Sequence, residues 1–143
     1  MGKKITCRTI DGGTMAVLAS ELSFRPSVYG VVIQSEKVLL VPQFGDGYDI
    51  PGGGVDLGEL LTDTLVREVR EETGMMIKPI QVLLVQDDFF FHPIKKKPFQ
   101  TPLIYFLCEV VGGEILKIDG QVRHDPEKLA KEILDKYFEV LRR

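Results

Sequence analysis

From Arg67 to Gly74 the chain reads Arg-Glu-Val-Arg-Glu-Glu-Thr-Gly, with carboxylates at positions 68, 71 and 72. A helix turns about 100° per residue, so Glu68, Glu71 and Glu72 project within an arc of about 100°. Like charges three and four apart repel, by a few tenths of a kcal/mol per pair in an isolated helix. A bound cation converts that repulsion into attraction. The donors are all oxygens, which selects Mg²⁺ or Mn²⁺ over Zn²⁺. Leu61, Leu65, Val66 and Val69 form the adjoining apolar arc. The carboxylates therefore stand at the rim of a core, where charges interact more strongly than on an open surface. Taken alone, the same pattern also describes a solvated acidic face, with Arg67 and Arg70 paired to the glutamates.

The elements that must position this cluster follow from pattern. Its helix begins near Leu60–Thr62 and ends at Gly74, a left-handed stop. Gly52-Gly53-Gly54 precedes it, and three glycines in a row favour neither a helix nor a strand interior. Upstream, Lys3–Ile10 and Thr14–Glu21 are rich in β-formers and flank Asp11-Gly12-Gly13, which predicts an N-terminal hairpin over about residues 1–24. Val28–Gln34 and Lys37–Gln43 form a second strand pair, split at Ser35-Glu36. Phe44–Tyr48 is a loop, and Tyr48–Pro51 is extended because a residue before proline disfavours helix. Downstream, Ile77–Phe91 is one long strand or two. His92–Gln100 is a proline-bounded loop with three lysines, and Pro102–Val111 is a strand closed by Gly112-Gly113. The segment from Asp125 to Arg143 keeps helical spacing, with Asp125 as N-cap and Pro126 at the first helical position. Strands, a helix, strands and a helix imply a mixed sheet with helices on its faces.

Composition narrows the class. A chain of 143 residues fits one domain. It is 44% hydrophobic and 27% charged, the balance of a globular rather than a disordered chain. The net charge of −3 supplies no basic field for nucleic acid. No apolar run approaches the roughly 20 residues that cross a bilayer, and the N-terminus has no apolar signal region, so the expected location is the cytoplasm. Cys7 and Cys108 lack CxxC spacing and are expected to be a buried, reduced pair.

Gly53, five residues, Glu59, seven residues, Arg67-Glu68-Val69, one residue, Glu71-Glu72, one residue and Gly74-Met75 together resemble the Nudix box. The flanks extend the resemblance: Val28–Pro42 and Tyr48-Asp49-Ile50-Pro51-Gly52 are similar to the strands and turn that precede the box in MutT-like Nudix hydrolases. The resemblance implies an α/β/α sandwich on a central mixed sheet, over one domain of residues 1–143 with the box at 53–75. It also implies hydrolysis of a nucleoside diphosphate linked to another moiety, with Mg²⁺ or Mn²⁺. Carried over by position, Glu68, Glu71 and Glu72 are metal ligands, with the Gly53 carbonyl as a further oxygen. Glu59 and Arg67 are organisers that hold the loop to the helix through an ion pair. Glu68 is the first choice for general base. Asp119 and Glu114, after the Pro102–Val111 strand, are candidates for a base or an additional ligand. Leu60 stands where the family often has a Ser or Thr cap, so Thr62 is expected to cap and delay the helix by two residues. The family's downstream Trp is missing, and the chain has no Trp.

The substrate side is less specific. Arg25 and Tyr29 are candidates to reach the pyrophosphate and the base. Phe89-Phe90-Phe91 offers a stacking surface, but strand alternation turns Phe90 away from its two neighbours. Lys96, with Lys95 and Lys97, offers point charges for a terminal phosphate, against a solvated hairpin tip. His92 and His124 have no metal-like pairing and read as ordinary loop residues. Markers of the coenzyme A, NADH and diadenosine polyphosphate subfamilies are absent, and Pro93 stands slightly too far past the box for the ADP-ribose marker. The implied partner is a small-molecule nucleotide such as an NTP, dNTP or nucleotide sugar, not nucleic acid or membrane. A homodimer is common in the family, and the N-terminal hairpin is a candidate partner surface. The reading in another class is a nucleotide-sensing Nudix domain without catalysis; an isomerase on the same fold is a weaker third.

Overall fold

A computed structural model describes residues 2–34, 37–42 and 48–114. The expected helix over 125–143, Asp119 and His124 lie outside the described residues. The described elements are β1 (Lys4–Arg8), β2 (Thr14–Leu18), a 3-10 turn (Ala19–Glu21), β3 (Ser23–Phe24), β4 (Ser27–Gln34), β5 (Lys37–Val38), β6 (Val41–Pro42), β7 (Tyr48–Asp49), β8 (Gly52–Gly54), α1 (Leu61–Thr73), β9 (Met75–Gln86), β10 (Phe89–His92), β11 (Lys97–Gln100) and β12 (Leu103–Gly113). None of these is a helix long and apolar enough to cross a membrane.

Two mixed sheets result. One has the order β2-β1-β10-β11-β3, in which β1 runs parallel to β10 and β11 parallel to β3. The other has the order β5-β4-β12-β9, with β8 also paired to β4. The β4–β12 pair is parallel and β12–β9 is antiparallel with three register shifts. Helix α1 lies on this second sheet. Val28, Val32, Leu65, Val69, Ile77 and Phe106 form its core. At Gly30 an added Cβ would stand 3.2 Å from Cys108 Sγ and 3.4 Å from Leu65 Cδ1, so the missing side chain is what lets the helix settle onto β4.

Helix α1 stops as expected. Gly74 takes φ 79°, and its N–H donates to the Arg70 carbonyl at 2.8 Å. Thr73 finishes the cap from inside: its hydroxyl donates to the Val69 carbonyl at 2.6 Å and accepts from the Met75 N–H at 3.1 Å.

Four expectations need correction. The N-cap of α1 is Leu60, with no side-chain hydrogen bond, so Thr62 does not cap and the helix starts at Leu61. The second strand of the early pair is broken into β5 and β6. The triple glycine is a strand, because Ser27, Val28 and Tyr29 offer it an antiparallel partner and lack of side chains permits the approach. The stretch His92–Gln100 is not a loop. It is the second half of a hairpin in which Phe89, Phe90, Phe91 and His92 pair with Gln100, Phe99, Pro98 and Lys97. The tight turn rests on Lys96 at φ 50°, and Pro98 concealed the strand because proline lacks a ladder donor. The long apolar stretch divides into two strands at Asp87-Asp88, and Cys7 and Cys108 are both buried and free.

Candidate active site

Two of the box carboxylates meet the glycine strand. Gly52 N–H donates to Glu72 Oε2 at 3.4 Å. A Cβ on Gly53 would stand 2.7 Å from Glu68 Cδ, so the Glu68 carboxylate packs directly on the backbone there. Glu72 is half-buried, and its carboxyl is pushed up to about 7. Burial is the main cause; the Gly52 N–H opposes it, and the charge of Glu68 and a hydrogen bond to it add to the rise. Burial and a neighbouring carboxylate both disfavour the charged form of Glu72, whereas Arg67 offsets the charge of Glu68.

The third carboxylate is drawn elsewhere. Arg67 donates to Glu59 twice, at 2.9 and 3.0 Å, to Glu68 Oε1 at 3.1 Å and to Glu71 Oε2 at 3.3 Å. The Arg67 hydrogen bonds hold the Glu59 carboxyl below its ordinary range. Glu59 also accepts from the Asp56 N–H at 3.3 Å, so the ion pair fastens the loop after β8 to the helix. Among the described residues no three His, Cys, Asp or Glu side chains stand together as a ready-made metal cage. The donor chemistry nonetheless fits a hard cation: Mg²⁺ keeps several waters and is usually held by one or two carboxylates together with substrate phosphates.

The glycine strand also borders a cavity of about 520 Å³, walled by Gly52, Gly53, Gly54, Arg25, Tyr29 and Phe90 among others. Arg25 is engaged rather than extended into it: the guanidinium donates to Asp56 Oδ1 at 2.7 Å and to the Gly54 carbonyl at 3.3 Å. Tyr29 stacks on Tyr105 with ring centroids 5.4 Å apart, and burial pushes its hydroxyl up to about 12, which keeps it a neutral hydrogen-bonding group. Phe90 faces the cavity, as strand alternation allows. Lys96 sits at the exposed tip of the β10–β11 turn and does not line the cavity. Lys95 and Lys97 lie over the Phe99 ring, at 5.6 and 5.1 Å. Glu114 is exposed just past β12.

His92 is a cavity residue and the cap of its hairpin turn. Its Nδ1 accepts from the N–H groups of Ile94 and Lys95 at 3.2 and 3.1 Å. Burial, with help from Lys95 and Arg25, lowers its pKa, so it stays neutral. Sequence reasoning missed two further wall residues. Arg8 donates through Nε and Nη2 to both carboxylate oxygens of Asp88, at 2.7 and 2.8 Å, and its Cζ lies 4.6 Å from the centre of the Phe90 ring. These partners lie 80 residues apart, and no local spacing signals such a pair.

A NUDIX domain family model matches residues 23–141 of this chain. The chain is 31% identical to an ADP-ribose pyrophosphatase of Methanocaldococcus jannaschii over 93 residues, 62% of this chain and 53% of that protein. It is also 31% identical to the NAD-capped RNA hydrolase NudC of Pectobacterium carotovorum over 107 residues, 73% of this chain and 35% of that protein. The chain thus spans about half or less of the length of these curated relatives. Among solved structures, an ADP-ribose pyrophosphatase from Streptococcus suis superimposes with a TM-score of 0.56 at 21% identity, covering 83% of this chain and 92% of that one, a likeness of fold.

Proposed function

The chain belongs to the Nudix family, and we propose that it hydrolyses the pyrophosphate bond of a nucleoside diphosphate linked to another moiety, using Mg²⁺, with Mn²⁺ as a substitute. One observation carries this reading: the glycine strand is a shared wall. Gly52 and Gly53 meet Glu72 and Glu68 and also line the cavity. A pyrophosphate lying along those glycines would have the carboxylate pair within reach.

Glu68, Glu72 and the Gly53 carbonyl would hold the metal, with Glu71 joining when it leaves Arg67. The metal, when bound, supplies charge neutralisation for the pyrophosphate and activates water. The chain's own residues do the rest. Glycines allow phosphate oxygens to approach the backbone. Arg67 fixes Glu68 and, through Glu59, the loop beside it. Glu68 takes the proton of the attacking water as general base. Arg25 braces the wall at Gly54 and Val55. The substrate is a small nucleotide, and the free buried thiols accord with work in a reducing cytoplasm.

The test is incubation with Mg²⁺ and a panel of nucleoside triphosphates, oxidised nucleotides, ADP-ribose, nucleotide sugars, dinucleoside polyphosphates and NAD-capped RNA, with products resolved by chromatography. Cleavage by the wild type and not by Glu72→Gln supports the reading and identifies the bond. Saturable nucleotide binding with no product at high enzyme and metal replaces it with a nucleotide-sensing domain.

A further inference from the structure

The family match begins at residue 23, so the β1–β2 hairpin lies outside it. That hairpin nevertheless reaches the cavity. Strand β1 pairs in parallel with β10, with Arg8 opposite Phe90, and Arg8, Thr9, Ile10 and Gly12 contribute to the cavity wall. The Gly12 N–H donates to the Thr9 carbonyl and the Gly13 N–H to Asp11 Oδ1, closing the turn that carries Thr9 and Ile10 to the rim. We propose that this hairpin is the base-recognising wall of the substrate site, with the Arg8 guanidinium, laid on Phe90 and fastened to Asp88, as the platform on which the nucleobase stacks. That the ligand is a nucleotide rests on the pyrophosphohydrolase reading; that the wall recognises a planar aromatic group does not.

The chemistry of the Arg8 pair selects the ligand. Both donors on one edge of the guanidinium are committed to the Asp88 carboxylate, whose side chain is 10% exposed. The pair carries no net charge, so it attracts a phosphate less than an unpaired guanidinium would. What remains open is the guanidinium plane. The Arg8 side chain is 56% exposed while one side of it is taken by Phe90. A planar, delocalised cation held rigid by a bidentate partner stacks on aromatic rings, and base stacking of this kind tolerates any base. Phe90, Phe99 and His92 extend the aromatic surface along the same wall. His92, with Nδ1 already accepting two N–H groups, leaves Nε2–H as a donor. The glycine strand, in the other sheet, faces the same cavity. A nucleotide stacked on Arg8 therefore shares its cavity with the glycine strand that Glu72 and Glu68 meet.

The test is an NMR-monitored titration of the metal-free protein with AMP and, separately, with ribose 5-phosphate, which lacks the base. Wild type is expected to bind AMP at least about tenfold more tightly, corresponding to about 1.4 kcal/mol. Arg8→Ala should lose that preference while binding ribose 5-phosphate as the wild type does. Arg8→Lys keeps a cation for Asp88 and so keeps the hairpin fastened, but it removes the plane; it should lose the preference too. A wild type that binds both ligands equally, or neither, overturns the proposal. So does Arg8→Lys with the full preference, because Arg8 would then serve only to fasten the hairpin. Turnover is read separately. Arg8-dependent AMP binding in a protein that cleaves no pyrophosphate would leave the platform standing and remove the hydrolase reading, and cleavage with base-blind binding would do the reverse.

Discussion

The two walls of the cavity are held by ion pairs of different reach. On the glycine-strand side, Arg67 gathers Glu59, Glu68 and Glu71 across separations of eight, one and four residues. On the hairpin side, Arg8 and Asp88 meet across 80 residues. The first network is a consequence of helix geometry plus one short loop; it forms wherever that stretch of chain folds. The second exists only once β1 has paired with β10. The local network surrounds the groups suited to bond cleavage, and the long-range pair surrounds the groups suited to recognition. A chain built this way can change what it binds by altering its hairpin without disturbing its carboxylates.

The strongest way to break that division is at the carboxylates. Glu68→Gln should lower turnover by about two to four orders of magnitude, the range for removing a proton-transfer group, and Glu72→Gln should lower it by loss of a metal-holding carboxylate, with circular dichroism unchanged in both. Turnover near that of the wild type in both variants would leave the glycine-strand wall without a chemical role. Next come the glycines. A Cβ on Gly52 would stand 2.0 Å from the Val28 carbonyl oxygen, a backbone atom that cannot yield. Gly52→Ala should therefore destabilise the fold by about 1–3 kcal/mol or more, read as a lower denaturation midpoint. Gly53→Ala meets only the far end of the Glu68 side chain. It should keep the fold and lose activity, and the contrast between the two variants measures how much of this strand is structural.

A smaller effect sharpens the comparison through pH. Glu72 binds its proton more tightly in the folded protein, at about 7 against an ordinary 4.5. The folded state therefore holds more protons than the unfolded one between those values, and stability falls as pH rises through that window. In metal-free protein the melting temperature of the wild type should decline from about pH 5 to pH 8 more steeply than that of Glu72→Gln. Added Mg²⁺ should raise it most at the upper end, where the carboxylates are ionised. Identical slopes in the two proteins would contradict the crowding of Glu72 and Glu68. The smallest effect is at the start of α1. Leu60 is the N-cap, is 67% exposed and makes no side-chain cap. Leu60→Ser should stabilise the protein by about 1 kcal/mol, raising the melting temperature without changing turnover.

What was legible in the sequence divides along the same line. The helix and its stop at Gly74 follow from spacing within one segment, and the Glu59–Arg67 pair from the resemblance of that segment to the Nudix box. The helix starts within the expected Leu60–Thr62 window, but Thr62, a good cap by type, does not cap it, because the backbone turns at Leu60 with no side-chain cap at all. The triple glycine carries no strand signal because β8 has no propensity of its own; it forms only because β4 lies beside it. Pro98 hid β11 for a related reason, since a strand can carry a proline where its partner does not need the donor. Arg8 and Asp88 each look like ordinary surface charges, and only the parallel pairing of β1 with β10 joins them over Phe90. Alternation, by contrast, places Phe90 on a different face from Phe89 and Phe91 from local pattern alone.

The most direct test of this division of labour is a steady-state comparison of wild type, Glu68→Gln and Arg8→Ala on the nucleoside diphosphate derivative that the panel shows to be cleaved fastest. The account predicts that Glu68→Gln lowers kcat with KM within a few-fold of wild type, and that Arg8→Ala raises KM about tenfold or more with kcat retained. A fall in kcat on losing Arg8 with KM unchanged, or an effect of Glu68→Gln confined to KM, would contradict it.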